Sequence, residues 1–294
     1  MNDKRKLSEI FLIASILIWG FSFISIKVCS EVIPIAFLSF IRFLIAALVL
    51  IGMCIAGKNK EKIQRKHIAS MSISGIFGIT LYYYFEGLGI KNISASSVSI
   101  LNATVPLFTL IAEIVLYKRK IKISYIIALL ISITGIGFIV DINLKSFVQP
   151  GCLAGYFFIL LSVLCWVIYT LITRTLFDDY SEITITTYQT LFGTIAFIPF
   201  MLKEQVQFQA FNSEIICNIA FLGVFSSALA YYFYAAAIKN IGIVKSSMGL
   251  NLVPVITIGA SAFILKEAIS MNMALGCIMI FMSLRIISSK HSQL

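Results

Sequence analysis

Ten runs of about 18 to 23 residues, apolar almost throughout, divide this chain, and short polar segments rich in lysine and arginine separate them. At about 1.5 Å of rise per residue, a helix of that length crosses roughly 30 Å of hydrocarbon. The spans predicted are Glu9 to Val28, Ile35 to Ala56, Ile68 to Leu88, Ser94 to Tyr117, Ser124 to Val140, Cys152 to Thr173, Ile183 to Leu202, Ile215 to Ala237, Ile243 to Leu265 and Met271 to Ile287. An outer-membrane barrel would instead need short strands of alternating polarity, and the sequence has no such pattern.

One stretch occurs twice. Ile90 to Pro106 reads IKNISASSVSILNATVP, and Ile238 to Pro254 reads IKNIGIVKSSMGLNLVP. Ile90, Lys91, Asn92, Ile93, Val105 and Pro106 all recur 148 residues later without a gap. At the same offset Tyr83, Tyr84 and Phe85 match Tyr231, Tyr232 and Phe233, while Trp19 matches Trp166 and Lys27 matches Arg174 at 147. The chain therefore reads as two units, residues 1–145 and 146–294, joined through Asp141 to Gly151. Pro106 and Pro254 sit inside the fourth and ninth spans, where a missing N–H and a clash with the carbonyl four residues back predict helix kinks.

Composition supports the membrane reading. With 60% hydrophobic and 12% charged residues and a mean hydropathy of +0.99, 294 residues carry more apolar surface than a soluble core of this size can bury. The net charge of +10 is spread in short runs between apolar segments rather than along one amphipathic face, which argues against nucleic acid and for topology. With the N-terminus inside, the inner segments hold Lys4, Arg5 and Lys6; Lys58, Lys60, Lys62, Arg65 and Lys66; Lys118, Arg119, Lys120 and Lys122; then Arg174, Lys239, Lys245, Arg285 and Lys290. The outer segments hold Lys27, Lys91, Lys145, Lys203 and Lys266. This imbalance places both termini in the cytoplasm. Five spans per unit is an odd number, so the second unit crosses in the opposite sense and the fold is an all-α inverted repeat. Lys4 to Lys6 ahead of an apolar run resembles a signal peptide, but the run continues without an A-x-A site and reads as a retained span.

The six cysteines lie singly in or beside apolar runs and read as packing residues; with only His67 and His291 available, no metal cluster and no cofactor are expected.

Trp19-Gly20 with Phe23 and Lys27, Arg42-Phe43 with Ala46, Ser94-Ala95-Ser96 through Pro106, and Leu265-Lys266-Glu267 resemble the ten-helix drug/metabolite transporters of the EamA type over nearly the whole chain. The resemblance implies two EamA-like units packed as an inverted pair, alternating access, and export of small metabolites, often amino acids or related compounds. It also implies a multi-pass protein of a prokaryotic plasma membrane. Leu116 to Lys120 departs from the Gly-Glu-Arg type of ending common in the family; Lys266-Glu267 keeps part of it.

Polar groups inside spans are costly and therefore face partners or a water-filled cavity. Arg42 is either a structural arginine or a charge in the outer pathway, and Gln189 is its uncharged counterpart under the repeat. Glu86, beside Tyr82, Tyr83 and Tyr84, could pair with Arg42 or titrate during transport, which makes protons a possible coupling ion; an interfacial acid is the plainer reading. Glu113 is expected to snorkel toward Lys118 or Lys120. The carbonyls freed by the two prolines belong to Asn102 and to Leu250, next to Asn251, so both asparagines are candidates for the central cavity, meeting near the midplane from opposite sides. Trp19, Trp166, Tyr169, Tyr83, Tyr84, Tyr231, Tyr232 and Tyr234 cluster on repeat-related spans, and rings with one polar atom suit an amphipathic solute.

Function follows as secondary transport of a small molecule between the repeats, within the lipid bilayer; a monomer is compatible with it. The pattern G-x-x-x-x-G-K-[ST] is absent, which argues against direct use of ATP. A lipid flippase is the nearest alternative, a sensor a remote one. An intramembrane enzyme would need paired acids, a nucleophile or metal ligands at membrane depth, and the one acidic pair, Asp178-Asp179, lies in a loop.

Overall fold

The computed structural model describes residues 2–58, 61–90, 98, 101–102, 104–118, 122–139, 152–206, 211–264 and 270–288. The Asp141–Gly151 linker, Ser94-Ala95-Ser96, Leu265-Lys266-Glu267 and most of the first copy of the repeated stretch lie outside these residues.

Every regular element among the described residues is helical. We number them α1 (Asn2–Ser30), α2 (Ile35–Ala56), α3 (Arg65–Gly75, continuing through Ile76–Leu81 into Tyr82–Ile90), α4 (Val105–Tyr117), α5 (Ile123–Ile139), α6 (Cys152–Leu176), α7 (Glu182–Met201), α8 (Ser213–Ile241), α9 (Ile243–Ile264) and α10 (Met271–Ser288). Seven of them, α1 to α3 and α6 to α9, are long and apolar enough to cross a membrane; α4, α5 and α10 are shorter apolar helices. Large side chains such as Leu48, Leu153 and Phe263 point outward at 64%, 82% and 89% exposure, an apolar exterior suited to lipid rather than water.

α3 and α8 each contain a π-helical segment, Ile76–Leu81 and Leu222–Leu229, and the two segments end 148 residues apart. A π turn loosens the backbone ladder and leaves carbonyls open to side-chain donors. The helices pair in a way that mirrors this offset. α1 packs on α8 and α9, as α6 packs on α3 and α4; α2 packs on the π segment of α8, as α7 packs on that of α3; α2 lies along α7, and α5 along α10.

Glycines permit the closest crossings. A Cβ on Gly75 would lie 2.3 Å from the Gln189 carbonyl oxygen, and one on its repeat counterpart Gly223 would lie 2.6 Å from Ile45 and 3.2 Å from the Arg42 carbonyl oxygen. On the α5–α10 seam, a Cβ on Gly135 would lie 2.8 Å from the Gly276 carbonyl oxygen. Without a side chain in the way, backbones approach closely and hydroxyls bond across, as Thr80 does to the Gly193 carbonyl (2.7 Å) and Ser15 to that of Ala230 (3.0 Å).

The two repeated prolines sit at helix starts. Pro106 is in the first turn of α4, after Thr104. Pro254 follows a 3-10 turn, Leu250–Leu252, within α9. Each interruption thus precedes its proline, which then occupies a first-turn position where a missing N–H costs little.

Candidate functional site

At the centre of the bundle, rings from α1, α2, α3, α6 and α8 form one cluster. Trp19 meets Trp166, Tyr231 and Tyr234 edge-on at centroid separations of 5.8, 5.7 and 5.4 Å. Trp166 lies 5.2 to 5.7 Å from Tyr82, Tyr169, Tyr231 and Tyr234, and Phe43 joins through Tyr83 and Tyr231. These are favourable edge-to-face separations, and burial of so much ring surface makes this the main apolar core.

The polar ends of these rings are unevenly served. Trp19 Nε1 donates to the Ser226 carbonyl (3.0 Å) and the Tyr231 hydroxyl to the Gly78 carbonyl (3.2 Å). Ser226 and Gly78 lie 148 residues apart, one in each π segment, so the loosened ladder supplies the acceptor in both units. Trp166 Nε1, Tyr169 OH and Tyr234 OH, all buried, close no hydrogen bond of normal geometry, although Trp166 lies near Tyr234 and Tyr169 near Thr173. Such atoms are costly in an apolar setting and mark where a polar ligand group or water would be welcome.

Two buried charged side chains adjoin the rings. The Arg42 guanidinium donates from Nε to Ser227 Oγ (2.7 Å) and from Nη2 to Ser226 Oγ (3.0 Å), and stacks 4.9 Å from the Tyr83 centroid. Glu86 Oε1 accepts from the Tyr82 hydroxyl (3.0 Å) and from Asn102 Nδ2 (3.4 Å). Arg42 and Glu86 do not form an ion pair with each other; among the described residues the pairs are Arg5–Glu9, His67–Asp179, Arg174–Glu113 and Lys239–Glu182.

Of the residues singled out from sequence, Trp19, Arg42, Tyr83, Trp166, Tyr169, Tyr231 and Tyr234 come together here, with Glu86 and Asn102 adjoining through Tyr82. Others do not. Asn251 donates to Ser132 of α5 (2.7 Å), a different partner from that of Asn102. Gln189 donates to Ser74 and Thr173, each at 2.8 Å. Tyr84 packs on Phe200; its counterpart Tyr232 packs on Phe11 and Phe233 and does touch the edge of the aromatic core. Glu113, expected to snorkel toward Lys118 or Lys120, is buried and pairs with Arg174 of α6, which stacks over Tyr117; Lys120 lies outside the described residues. Ser226 and Ser227 were not singled out; two adjacent hydroxyls inside an apolar run were the signal.

A cleft of about 590 Å³ opens above the cluster at the end carrying the basic loops. Arg5, Glu113, Arg174, Lys239 and Lys245 line it. Its apolar walls include Ile238 and Ile243, which also pack in the aromatic core. The cleft thus borders the aromatic core without reaching its rings, which stay buried, and its volume is that of a small-molecule pocket.

Comparison with known proteins agrees with this architecture. The chain is 27% identical over 283 residues to an uncharacterized transporter of Archaeoglobus fulgidus, covering 96% of this chain and 99% of that one. It is 26% identical over 294 residues to a second from the same organism, covering all of both, and 26% identical over 272 residues to the uncharacterized transporter YetK of Bacillus subtilis, covering 90% and 81%. A crystal structure with 18% identity shares the fold, with a TM-score of 0.80 over 96% of this chain and 97% of that one. The EamA-like transporter family matches twice, over residues 6–141 and 153–289. With nearly the whole chain matched, this protein belongs to the EamA-like transporter family, within the drug/metabolite transporter superfamily.

Proposed function

We propose that this membrane transporter is a secondary active exporter of a small amphipathic metabolite, such as an amino acid or a related compound. In this reading residues 1–145 and 146–294 form two inverted five-helix units that rock about a substrate held between them, with ten spans and both termini in a prokaryotic cytoplasm. The observation that carries it is the aromatic cluster itself: ring surface for an apolar body, with buried Trp166 Nε1, Tyr169 OH and Tyr234 OH left for its polar atoms. The cleft above it supplies an approach from the basic end.

Purified protein in liposomes should move a labelled amino acid or related metabolite saturably, and Trp166→Phe should reduce that flux without reducing folded protein. Normal flux in the variant would remove Trp166 from the site. Glu86, a buried carboxyl held by two neutral donors, is the group proposed to carry a coupling proton. An imposed pH gradient should therefore drive flux in the unmodified protein and not in Glu86→Gln; flux indifferent to the gradient rejects the coupling.

A further inference from the structure

Neither α2 nor α7 caps its own N-terminus: Pro34 precedes α2 and Ser181 precedes α7, and neither helix has a side-chain cap from its N-cap residue. Each is instead capped by a carboxylate from just beyond the other's C-terminus. Glu204, three residues past Met201, accepts the Phe37 N–H at 2.8 Å and the Ala36 N–H at 3.3 Å. Glu61, in the segment after α2, accepts the Ser181 N–H at 3.0 Å and the Ser181 hydroxyl at 2.9 Å. The orphan N–H groups of a helix start and its positive dipole end favour a carboxylate there. One contact lies at each end of the α2–α7 pair, and Cys54 meets Thr187 between them (3.3 Å).

We infer that Glu61 and Glu204 are positioning residues, a reciprocal pair of clasps that fastens α2 to α7 at both ends and makes this pair the fixed pivot of the bundle. The inference rests on the alternating-access reading above. Its support is where the open space lies. The cleft is walled by α1, α4, α5, α6, α8 and α9 and by no residue of α2, α3 or α7. Both clasps are closed while the cleft is open, so the opening does not require α2 and α7 to part at the same end. A clasp serving as a gate would have to be broken at the open face. A fixed pair also keeps Arg42 of α2 and Gln189 of α7, counterparts under the repeat, at constant separation while the walls of the site move around them.

The test is distance measurement by paired spin labels on a cysteine-free form of the full chain in lipid nanodiscs. Val32→Cys with Lys203→Cys reads the Glu204 end, Lys58→Cys with Asp179→Cys reads the Glu61 end, and Lys118→Cys with Asn240→Cys reads across the cleft. A single narrow distance at each clasp, with two populations across the cleft, is expected. Two populations at either clasp, with two across the cleft, overturn the pivot and leave the rocking transporter standing. One distance at all three pairs rejects the rocking itself, and the pivot with it. Glu204→Ala should broaden the first pair alone and Glu61→Ala the second alone, and Gln in either place should restore part of the narrow distance because the carboxamide oxygen still accepts. If both alanine variants leave their own pair narrow, the carboxylates do not hold the helices.

Discussion

Tyr234 illustrates how a buried polar atom separates folding from binding. Its ring packs against Trp19 and Trp166, while its hydroxyl closes no normal hydrogen bond. Tyr234→Phe keeps the packing and removes a hydroxyl that closes no normal hydrogen bond within the protein. The free protein should be as stable or somewhat more stable, while affinity for the transported solute falls about tenfold, the worth of one hydrogen bond of ordinary strength. Thermal unfolding with and without the solute measures both, since a ligand of the native state raises its apparent stability. The Glu113–Arg174 pair should behave oppositely. Glu113 is 3% exposed and Arg174 28%, so Arg174→Ala takes from a buried carboxylate its ion-pair partner on α6 and should cost about 3 kcal/mol of stability. Replacing both by Met should recover most of the loss, because a buried pair repays little more than its own desolvation. Sequence showed an acid inside the fourth span and an arginine just past the sixth. It did not show that they meet, because 61 positions separate them and each has a nearer charge in sequence.

At the scale of elements, hydropathy reveals where a helix runs but not how its backbone is wound. The π segments of α3 and α8 leave no mark in a pattern of apolar residues, since one residue inserted per turn changes hydrogen-bond partners rather than polarity. Their consequence, acceptors at Gly78 and Ser226 for Tyr231 and Trp19, was therefore hidden as well, although the aromatic residues themselves stood out through the repeat. Glycine crossings are a middle case: Gly75 and Gly223 are visible as a repeated pair, yet only packing separates them from Gly52. Gly75→Ala should destabilise the protein by about 1–3 kcal/mol, since its Cβ would press on the backbone of Gln189, which cannot rotate aside. Gly52→Ala, with nothing within 4 Å, should be neutral or slightly stabilising through helix propensity. Chemical unfolding of the two variants in the same detergent compares them directly. The clasp at Glu61 adds a pH signature. Partial burial opposes its ionisation, but bonds from Thr184 and Ser181 outweigh this and hold its carboxyl below the usual glutamate range. A carboxyl with a depressed value in the folded state contributes stability above its unfolded value and loses it as pH falls through the folded one. The Lys58–Asp179 label distance should thus broaden only at a pH below the usual glutamate range, and Glu61→Gln should remove that dependence.

For the whole molecule, the repeat in sequence and the arrangement of helices point the same way through independent features. The offset of 147 to 148 residues that relates Trp19 to Trp166 also relates the α2 and α7 contacts to the two π segments, and the family matches each half separately. Orientation rests on the basic loops alone. If they lie in the cytoplasm, the cleft lined by Arg5, Arg174, Lys239 and Lys245 opens inward, and the Glu204 end of the α2–α7 pair faces outward. Under the export proposed above, substrate loads from the cytoplasm, and an inward cleft bordering an occluded ring cluster is then the state in which loading begins. Single cysteines decide this in a cysteine-free background. Val244→Cys, on the cleft wall, should react with a membrane-impermeant maleimide in inside-out vesicles and be protected in intact cells, while Lys203→Cys should show the reverse. Saturating solute should slow labelling of Val244→Cys, by filling the path or by turning the bundle away, and leave Lys203→Cys unchanged. Labelling of Val244→Cys from the outside alone would invert the topology, and the direction of loading would invert with it.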